Sequence, residues 1–316
     1  MAQPLLRIGT RGSPLALAQA AELRARLQAA HRDLAADGAI AVTVIKTTGD
    51  KVRDRTLAAI GGKGLFTKEI EEALLAETID LAVHSAKDLP TWLPDGLAIG
   101  CYLPREDPRD AFFSTRAGGI AQLAPGAVVG TASPRRHAQL LFARRDLRVV
   151  PLRGNVETRL KKLASGAVDA TLLAVAGLKR LGLTDRITAI LAPEEMLPAV
   201  AQGAIAVEIR QRNERVRRYL TALDHAATAS AVTAERALLA ALDGSCRTPI
   251  AALAEIGDGL RLRAMVIRPD GSERLTTERQ GPVADAAALG TDAGNELRAR
   301  AGDGYFDVTL PEEKPV

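Results

Sequence analysis

The chain alternates short apolar runs with segments whose apolar residues recur at helical spacing. Leu5 to Gly9 has the composition of a strand, and Ser13 followed by Pro14 predicts the start of a helix. That helix has an apolar stripe at roughly helical spacing, which comprises Leu15, Leu17, Leu23 and Leu27. Strands that alternate with helices are typical of β-α-β units, so we predict mainly parallel sheets covered on both faces.

The same alternation continues through two segments. The predicted strands are Ala39 to Ile45, Asp80 to Val83, Val128-Val129, Arg148 to Leu152, Ala170 to Ala174 and Ala204 to Ile209. The predicted helices are Thr67 to Ala76, Pro134 to Arg144 and Val156 to Ala164. Tyr102 to Asp110 contains two prolines and five charged residues, which indicates a hinge between two domains. The strand Ala204 to Ile209 is expected to return to the first domain's sheet.

From about Ala226 the pattern changes to that of a smaller α+β domain. A long alanine-rich helix is followed by strands near Ile250 to Glu255 and Leu260 to Ile267, the turn Pro269-Asp270-Gly271 and a final helix near Ala284 to Arg300. We therefore predict domain 1 at residues 1–103 and 204–222, domain 2 at 104–203 and domain 3 at 223–316.

Composition narrows the class of protein. The 316 residues are 47% hydrophobic and 25% charged, which is ordinary globular usage and excludes a disordered or fibrous chain. The net charge of +4 is too small to imply a polyanionic partner. Cys101 and Cys246 lie far apart and outside any Cys-x-x-Cys pair, so neither a disulfide framework nor a metal site is expected. Without an apolar segment of signal-peptide or membrane-span length, a cytoplasmic location is expected.

Two basic clusters lie where helices are predicted to begin in the first domain. Arg11 and Ser13 follow the first strand, at a crevice where the free N–H groups of a helix start favour an anion. Lys63 lies in a glycine-rich loop, and because Gly64 follows it, the P-loop pattern fails and nucleotide hydrolysis is not favoured. The structural alternatives are a capped helix with a solvated arginine and a plain surface turn.

A denser polar set ends the predicted strand Asp80 to Val83. Ser85, Lys87 and Asp88 follow this strand, and a lysine next to an aspartate can divide anion binding from proton handling. Asp88 is therefore the best candidate for a catalytic group, against the alternative of a surface ion pair. His84 alternates inward, which is also compatible with a histidine of the core.

The predicted second domain carries five arginines at strand ends and loops. They are Arg135, Arg136, Arg153, Arg159 and Arg180, and the first two lie near Thr131 and Ser133 in the segment Gly130 to Arg136. Arginines in the first turn of a helix oppose the helix dipole, so the pair indicates an anion bound between them. Any one of the five could be a solvated charge, but the set together favours a groove that holds several carboxylates.

Cys246 lies in the turn Asp243 to Pro249, next to Arg247. A loop cysteine beside an arginine is more prone to form a thiolate than a core cysteine, which suits a nucleophile or a covalent anchor. Cys101 lies within an apolar strand and is expected to be structural.

Taken in order, these clusters resemble the porphobilinogen deaminase family, also called hydroxymethylbilane synthases. Supporting segments are Arg105 to Phe112, Leu197 to Gly203 and Thr233 to Ala237. The resemblance runs from about Leu5 to Ile250. It implies two lobes like those of periplasmic binding proteins, a smaller third domain, and a dipyrromethane cofactor joined by a thioether to Cys246. It also implies that four porphobilinogens are deaminated and condensed head to tail before water releases hydroxymethylbilane.

The resemblance also implies a monomer and roles for individual residues. Asp88 would stabilise the cationic azafulvene that forms as ammonia leaves. The residues implied in cofactor binding are Cys246, Ser13, Lys87, Thr131, Ser133, Arg135 and Arg136. Those implied in substrate binding are Arg11, Lys63, Ser85, Arg153, Arg159 and Arg180. Each added pyrrole brings two carboxylates, and anions taken from water need compensating cations.

Four positions depart from the family's usual pattern. Ala59 stands where a lysine is common, Ser245 where a second glycine is common, and Ala132 and Pro134 where Ser and Leu precede the arginine pair. These departures affect carboxylate contacts and not the reaction.

Two alternatives use the same basic residues. A non-catalytic anion-binding protein of two lobes would have no use for Cys246. Nucleic-acid binding is disfavoured because only 3% of the residues are aromatic, which leaves little for bases to stack on.

Overall fold

A computed structural model describes residues 3–51, 67–244 and 248–307. Its strands are β1 Leu6–Thr10, β2 Ile40–Val44, β3 Leu81–Ser85, β4 Leu97–Tyr102, β5 Asp110–Ser114, β6 Val128–Gly130, β7 Arg148–Val150, β8 Ala170–Ala174, β9 Ala189–Ile190, β10 Ile205–Arg210, β11 Ile250–Ile256, β12 Leu260–Ile267 and β13 Arg274–Gly281. Its α-helices are α1 Pro14–Ala30, α2 Thr48–Lys51, α3 Lys68–Leu75, α4 Pro134–Ala143, α5 Val156–Ala164, α6 Val175–Arg180, α7 Glu214–Thr221, α8 Ala226–Ala241 and α9 Ala286–Ala301. Lys63, Cys246, Ala59 and Ser245 lie outside the described residues.

The described residues fall into two compact units, of which the first comprises residues up to 51, 67–106 and 204–229. Its sheet has the strand order β2-β1-β3-β10-β4. β1 is parallel to β2 and β3, whereas β10 is antiparallel to β3 and β4. The prediction that the strand after Gly203 returns to the first sheet is therefore confirmed.

Helix α1 covers this sheet with a face that differs from the predicted stripe. Leu23 and Leu27 are fully buried as predicted, but Leu17 is 40% exposed, so the prediction was wrong at that position. The buried face comprises Ala16, Gln19, Ala20, Leu23 and Leu27, which recur at helical spacing. The sequence pattern misled because alanines supply much of the buried surface. This rotation of the helix also turns Gln19 inward.

The second unit comprises residues 107–203 and the described residues from 230 onward. Its larger sheet has the strand order β7-β6-β8-β5-β9. β6 is parallel to β7 and β8, whereas β5 is antiparallel to β8 and β9. The predicted α/β class is confirmed. Both larger sheets also contain antiparallel strand pairs, which the sequence pattern did not indicate.

The C-terminal part of the second unit is the predicted smaller α+β fold. β11, β12 and β13 form an antiparallel sheet in sequence order, and helix α9 packs against it. Strand β13 was not predicted, because its sequence Arg-Leu-Thr-Thr-Glu-Arg-Gln-Gly is mostly polar and lies at the edge of the sheet. Its side chains alternate between exposed and half-buried, as on a strand with one solvated face.

A small apolar cluster joins helix α4 to the C-terminal sheet within this unit. Ala138 of α4 packs with Leu197 and with Leu253, Met265 and Ile267 of β11 and β12. This packing groups the predicted second and third domains in one compact unit. The division into three domains at the predicted boundaries stays a prediction.

A buried carboxylate connects three elements of the first unit. Asp80, directly before β3, accepts hydrogen bonds from the backbone N–H, Nε and Nη2 of Arg7 on β1 at 2.8, 3.0 and 3.0 Å. Arg210 and Arg215 lie 3.7 and 3.4 Å away. Burial by itself would raise the pKa of Asp80, but the bonds and charge of Arg7 outweigh it, and the pKa lies below its usual value. The ionised Asp80 therefore stabilises the fold.

We expect Asp80→Asn to lower the free energy of unfolding by about 2 kcal/mol at pH 7, because hydrogen bonds to a charged group are lost. A group with a lowered native pKa stabilises the fold above its unfolded pKa, near 3.9 for Asp, and this stabilisation is lost as pH falls through the native pKa. The difference from wild type should therefore shrink below about pH 4. Urea unfolding at pH 7 and pH 3 measures it, with the exposed Asp95→Asn as control. An equal effect of both variants at pH 7 would contradict the assignment.

Candidate active site

A small cavity in the first unit lies where β1 and β3 end. Its volume is about 60 Å³, and it is lined by Arg11, Ser13, Leu15, Ala16, Gln19, Thr67, Val83, His84, Ser85 and Asp88. The parallel strands β1 and β3 bring their carboxyl ends to the same edge of the sheet, and α1 begins there. The fold thereby brings together four of the predicted site residues, which are Arg11, Ser13, Ser85 and Asp88.

Ser13 and Ser85 are both held in place at this edge. The Ser13 hydroxyl accepts a hydrogen bond from the backbone N–H of Ala16 at 3.3 Å, so it caps α1 as predicted. The amide group of the buried Gln19, one turn further along α1, contacts the Ser85 hydroxyl at 2.8 Å through Nε2 and at 3.2 Å through Oε1. Gln19 was missed from the sequence, because a glutamine on a helix carries no motif.

Lys87 and Asp88 lie on a short 3-10 helix, Ala86–Asp88, that follows β3 directly. Its position is fixed by a backbone hydrogen bond from Ala86 to the carbonyl oxygen of Ala204, next to β10. The Asp88 carboxylate is exposed and makes no hydrogen bond or ion pair with any residue that the structure describes. It is therefore available to a ligand in this cavity.

Buried titratable groups lie directly beside the cavity. His84, expected inward, is 5% exposed and its Nε2 lies 3.0 Å from Oε2 of Glu208 on β10. Glu71 on α3 is also buried and bonds to Thr67. Burial raises the pKa of Glu71, and the charge of Glu208 adds to this effect, while the bond from Thr67 opposes it. The pKa of Glu71 therefore lies above that of an exposed glutamate. Neither Glu71 nor Glu208 was predicted from the sequence.

In the second unit, Thr131 and Ser133 shape the turn that leads into α4. The Ser133 hydroxyl accepts from the backbone N–H of Arg136 at 3.4 Å and caps the helix. The Thr131 hydroxyl accepts from the backbone N–H of Ser133 at 3.1 Å. These bonds fix the start of the helix that carries Arg135 and Arg136.

The anion expected between these two arginines is, within the structure, a carboxylate of the protein itself. Asp110, the first residue of β5, is fully buried. Its Oδ2 lies 2.8 Å from Nη2 of Arg135, and its Oδ1 lies 2.7 Å from Nη2 of Arg136. Both arginines are about 95% buried, which explains why the sequence places them at a helix start despite the dipole.

Four further hydrogen bonds hold this cluster. Nη1 of Arg135 donates to the carbonyl oxygen of Leu197 at 2.7 Å, and Nη1 of Arg136 donates to that of Leu172 at 2.9 Å. Gln202 donates from Nε2 to Oδ1 of Asp110 at 2.8 Å and to the carbonyl oxygen of Pro108 at 2.7 Å. Burial by itself raises the pKa of Asp110, but the two guanidinium groups and these bonds hold it far below its usual range.

Arg153 and Arg159 add positive charge close to the same cluster. Gly154, at φ +120°, makes the turn between them in a conformation that side-chain-bearing residues rarely adopt. Burial, together with the charges of Arg136 and Arg153, lowers the pKa of Arg159 to about 10. Burial also lowers the pKa of Arg153. Arg180, at the end of α6, donates to the carbonyl oxygen of Gly203 at 3.1 Å.

These charges fit a ligand with several carboxylates. Arg135 and Arg136 share the one carboxylate of Asp110, and the charge of Arg159 lies close enough to Arg136 for the two to repel each other. Like charges that are removed from water repel strongly, so this surplus of positive charge is relieved when an anion binds. The cofactor and substrate that the sequence resemblance implies would each bring carboxylates of that kind.

Of the two cysteines, the structure describes Cys101 but not Cys246. Cys101 on β4 is 2% exposed, and burial raises the pKa of its thiol to about 12. It is therefore structural, as predicted.

Among the residues with described positions, no group of three or more His, Cys, Asp and Glu could hold a metal ion.

Each of the two units thus has an α/β sheet, and each carries cationic side chains that suit anionic ligands. A family model described as porphobilinogen deaminase, dipyromethane cofactor binding domain, matches residues 6–218, and its C-terminal domain model matches residues 229–299. The porphobilinogen deaminases of Paracoccus denitrificans and Nitrobacter winogradskyi are 60% and 57% identical, each over 96% of both chains. The chloroplastic porphobilinogen deaminase of Oryza sativa is 54% identical over 96% of this chain and 86% of its own.

The chain belongs to the porphobilinogen deaminase family. It is therefore a transferase of tetrapyrrole biosynthesis that carries a covalent dipyrromethane and condenses four porphobilinogens into hydroxymethylbilane. The interpretation as a non-catalytic binding protein is thereby set aside. A solved periplasmic substrate-binding protein from Coxiella burnetii covers 73% of this chain and 96% of its own at 15% identity, with a TM-score of 0.40, which is too low to carry an argument.

We expect Cys101 to remain unmodified when the folded protein is treated with iodoacetamide at pH 8, since almost none of its thiol is ionised and it is buried. Peptide mass spectrometry measures the modification, and the protein unfolded in urea is the positive control. Modification of Cys101 in the folded state at the rate seen in urea would contradict this prediction.

Proposed function

We propose that Asp88 is the catalytic carboxylate of this reaction. Its support is the exposed carboxylate without a partner among the described residues, in a cavity that it shares with Arg11 and Ser13. As ammonia leaves the substrate, positive charge develops on the pyrrole, and a nearby carboxylate stabilises that charge without needing a proton. The same carboxylate could not stabilise the charge if it were already paired with an arginine.

We further propose that basic and hydroxyl-bearing residues hold the carboxylates of cofactor and substrate. In the first unit these are Arg11, Ser13, Ser85 and Lys87, with Lys63 outside the described residues. In the second unit they are Thr131, Ser133, Arg135, Arg136, Arg153, Arg159 and Arg180. The support is the surplus of buried positive charge around Arg136 and Arg159. Guanidinium groups suit this task because they bind carboxylates through two parallel hydrogen bonds.

Cys246 is the proposed anchor of the dipyrromethane through a thioether. When bound, this group supplies the primer to which pyrroles are added. The chain has only two cysteines, and Cys101 is excluded as the anchor because it is buried and the pKa of its thiol is raised to about 12. This exclusion supports Cys246. A buried neutral thiol cannot act as the nucleophile that forms the bond.

The remaining proposals concern the setting of the enzyme. No helix in the described part of the chain is long and apolar enough to cross a bilayer. A cytoplasmic location and a monomeric state stay predictions.

We expect the intact mass of the purified protein to exceed the sequence mass by two pyrrole units. Cys246→Ser should remove this added mass, because serine offers no thiolate, whereas Cys101→Ser should retain it. Intact-protein mass spectrometry measures all three proteins. A fully active wild type without added mass, or added mass retained in Cys246→Ser, would disprove the anchor.

We expect Asp88→Asn to fold normally and to lose about 10²–10³-fold in kcat, because a neutral amide cannot stabilise the developing positive charge. Asp95→Asn is the matched control, since Asp95 is an exposed aspartate of the same unit outside the cavity. Steady-state turnover and the thermal unfolding midpoint are measured for both variants. Turnover of Asp88→Asn within twofold of the control would remove Asp88 from the reaction.

A further inference from the structure

The arginine pair of the second unit is held by a residue to which the proposed function assigns no role. Asp110 is 0% exposed and contacts Arg135 and Arg136 at 2.8 and 2.7 Å, one arginine to each carboxylate oxygen. Two buried guanidinium groups on adjacent residues repel each other strongly in a medium of low dielectric constant. A carboxylate between them is what allows both to be buried at the same place.

One carboxylate balances only half of this charge. Arg135 and Arg136 with Asp110 carry a net charge of +1, and the charge of Arg159 close to Arg136 adds to it. The acid is thus sufficient to keep the pair in the fold but insufficient to neutralise it. A residual charge of this kind favours an additional anion, and the carboxylates of a bound pyrrole chain have the required sign.

The geometry also limits what the pair can offer to a ligand. Nη1 of each arginine donates to a backbone carbonyl oxygen, of Leu197 and Leu172, and Nη2 of each faces Asp110. The Nε of each arginine is buried and has no hydrogen-bond partner among the described residues. The two planar groups therefore have fixed orientations, set by Asp110 and these carbonyl oxygens before any ligand arrives.

Gln202 fixes the acid in turn. Its Nε2 bridges Oδ1 of Asp110 and the carbonyl oxygen of Pro108, at 2.8 and 2.7 Å. Asp110 cannot turn away from Arg136 without breaking this bridge. Its position is therefore determined by β5, to which it belongs, and by Gln202 together.

We propose that Asp110, held by Gln202, is a positioning residue that acts as an internal counter-anion for Arg135 and Arg136 and shares them with the carboxylates of the bound pyrrole chain. This inference rests on the proposed role of the two arginines in binding those carboxylates. It goes further in stating that the protein's acid and the ligand's acids stabilise the same two cations.

A measurable consequence follows from this sharing. Without Asp110, the two cations lack a counter-charge in the cofactor-free protein, whereas the ligand's carboxylates supply part of it in the loaded protein. Loss of Asp110 should therefore destabilise the cofactor-free form more than the loaded form. A residue with a purely structural role would destabilise both forms equally, because its contacts would not depend on the ligand.

The test is a cycle of Asp110→Asn in the wild-type and Cys246→Ser backgrounds, read as the thermal unfolding midpoint. Asp80→Asn in the same two backgrounds is the matched control, since Asp80 is also a buried carboxylate bound by arginines, but in the first unit. We expect the loss caused by Asp110→Asn to be larger in the Cys246→Ser background. We expect the loss caused by Asp80→Asn to be the same in both.

A second arm tests the counter-anion without the covalent cofactor. When acetate replaces chloride at constant ionic strength, the midpoint of Asp110→Asn with Cys246→Ser should rise, and that of Asp80→Asn with Cys246→Ser should not. Gln202→Leu, which removes one hydrogen bond to Asp110 and leaves both ion pairs, should show the same pattern with a smaller shift. The Gln202→Leu variant replaces Asp110→Asn in both arms if Asp110→Asn does not fold.

The outcomes separate this inference from the proposed function. Equal losses in both backgrounds together with no response to acetate would overturn the role of Asp110. Intact masses report whether each protein carries the cofactor, so added mass in the Cys246→Ser proteins would disprove the proposed anchor instead. In that case the acetate arm is read on the protein fraction whose intact mass shows no cofactor. A rise of its midpoint in acetate supports the role of Asp110, and the absence of a rise overturns it.

Discussion

A guanidinium group can be buried only if hydrogen-bond acceptors or an opposite charge lie next to it. This requirement determines how the arginines of both units are placed. Asp80 meets it in the first unit, where it faces Arg7, Arg210 and Arg215. Asp110 meets it in the second unit, where the arginine side chains are only 5–6% exposed. In both units the arginines outnumber the acid, but those around Asp80 are 18–47% exposed, so water solvates their excess charge. The buried pair of the second unit instead keeps a positive charge that a polycarboxylate can neutralise.

Sheet topology decides where these charges lie. In the first unit, β10 returns between β3 and β4, and the segment before it bonds to the backbone of Ala86, next to Asp88. In the second unit, Asp110 begins β5, and Leu172 on the neighbouring β8 accepts from Arg136. In both units a chemically important side chain is therefore positioned by a strand that is antiparallel to its neighbour.

Sequence reasoning succeeded where a local pattern carries the information. The helix starts at Ser13 and Ser133 follow from capping residues that precede proline, and strands β8 and β12 have apolar runs with clear ends. It failed where packing decides. Strand β13 has too few apolar residues to be recognised, and Leu17 lies outside the buried face of its helix. Gln19 belongs to no motif, and the segments that contain Asp110 and Gln202 indicated the family but no role for these two side chains.

The sequence by itself determined the alternation of elements, the places where basic residues follow strands, and the family to which these motifs belong, because all three depend on neighbours along the chain. Only the tertiary structure decided that Asp110, about 25 residues before the arginine pair, supplies the anion between them. It likewise decided that Asp88 is left without a partner among the described residues. Charge balance depends on distance in space, and that distance is fixed only when the strands have paired.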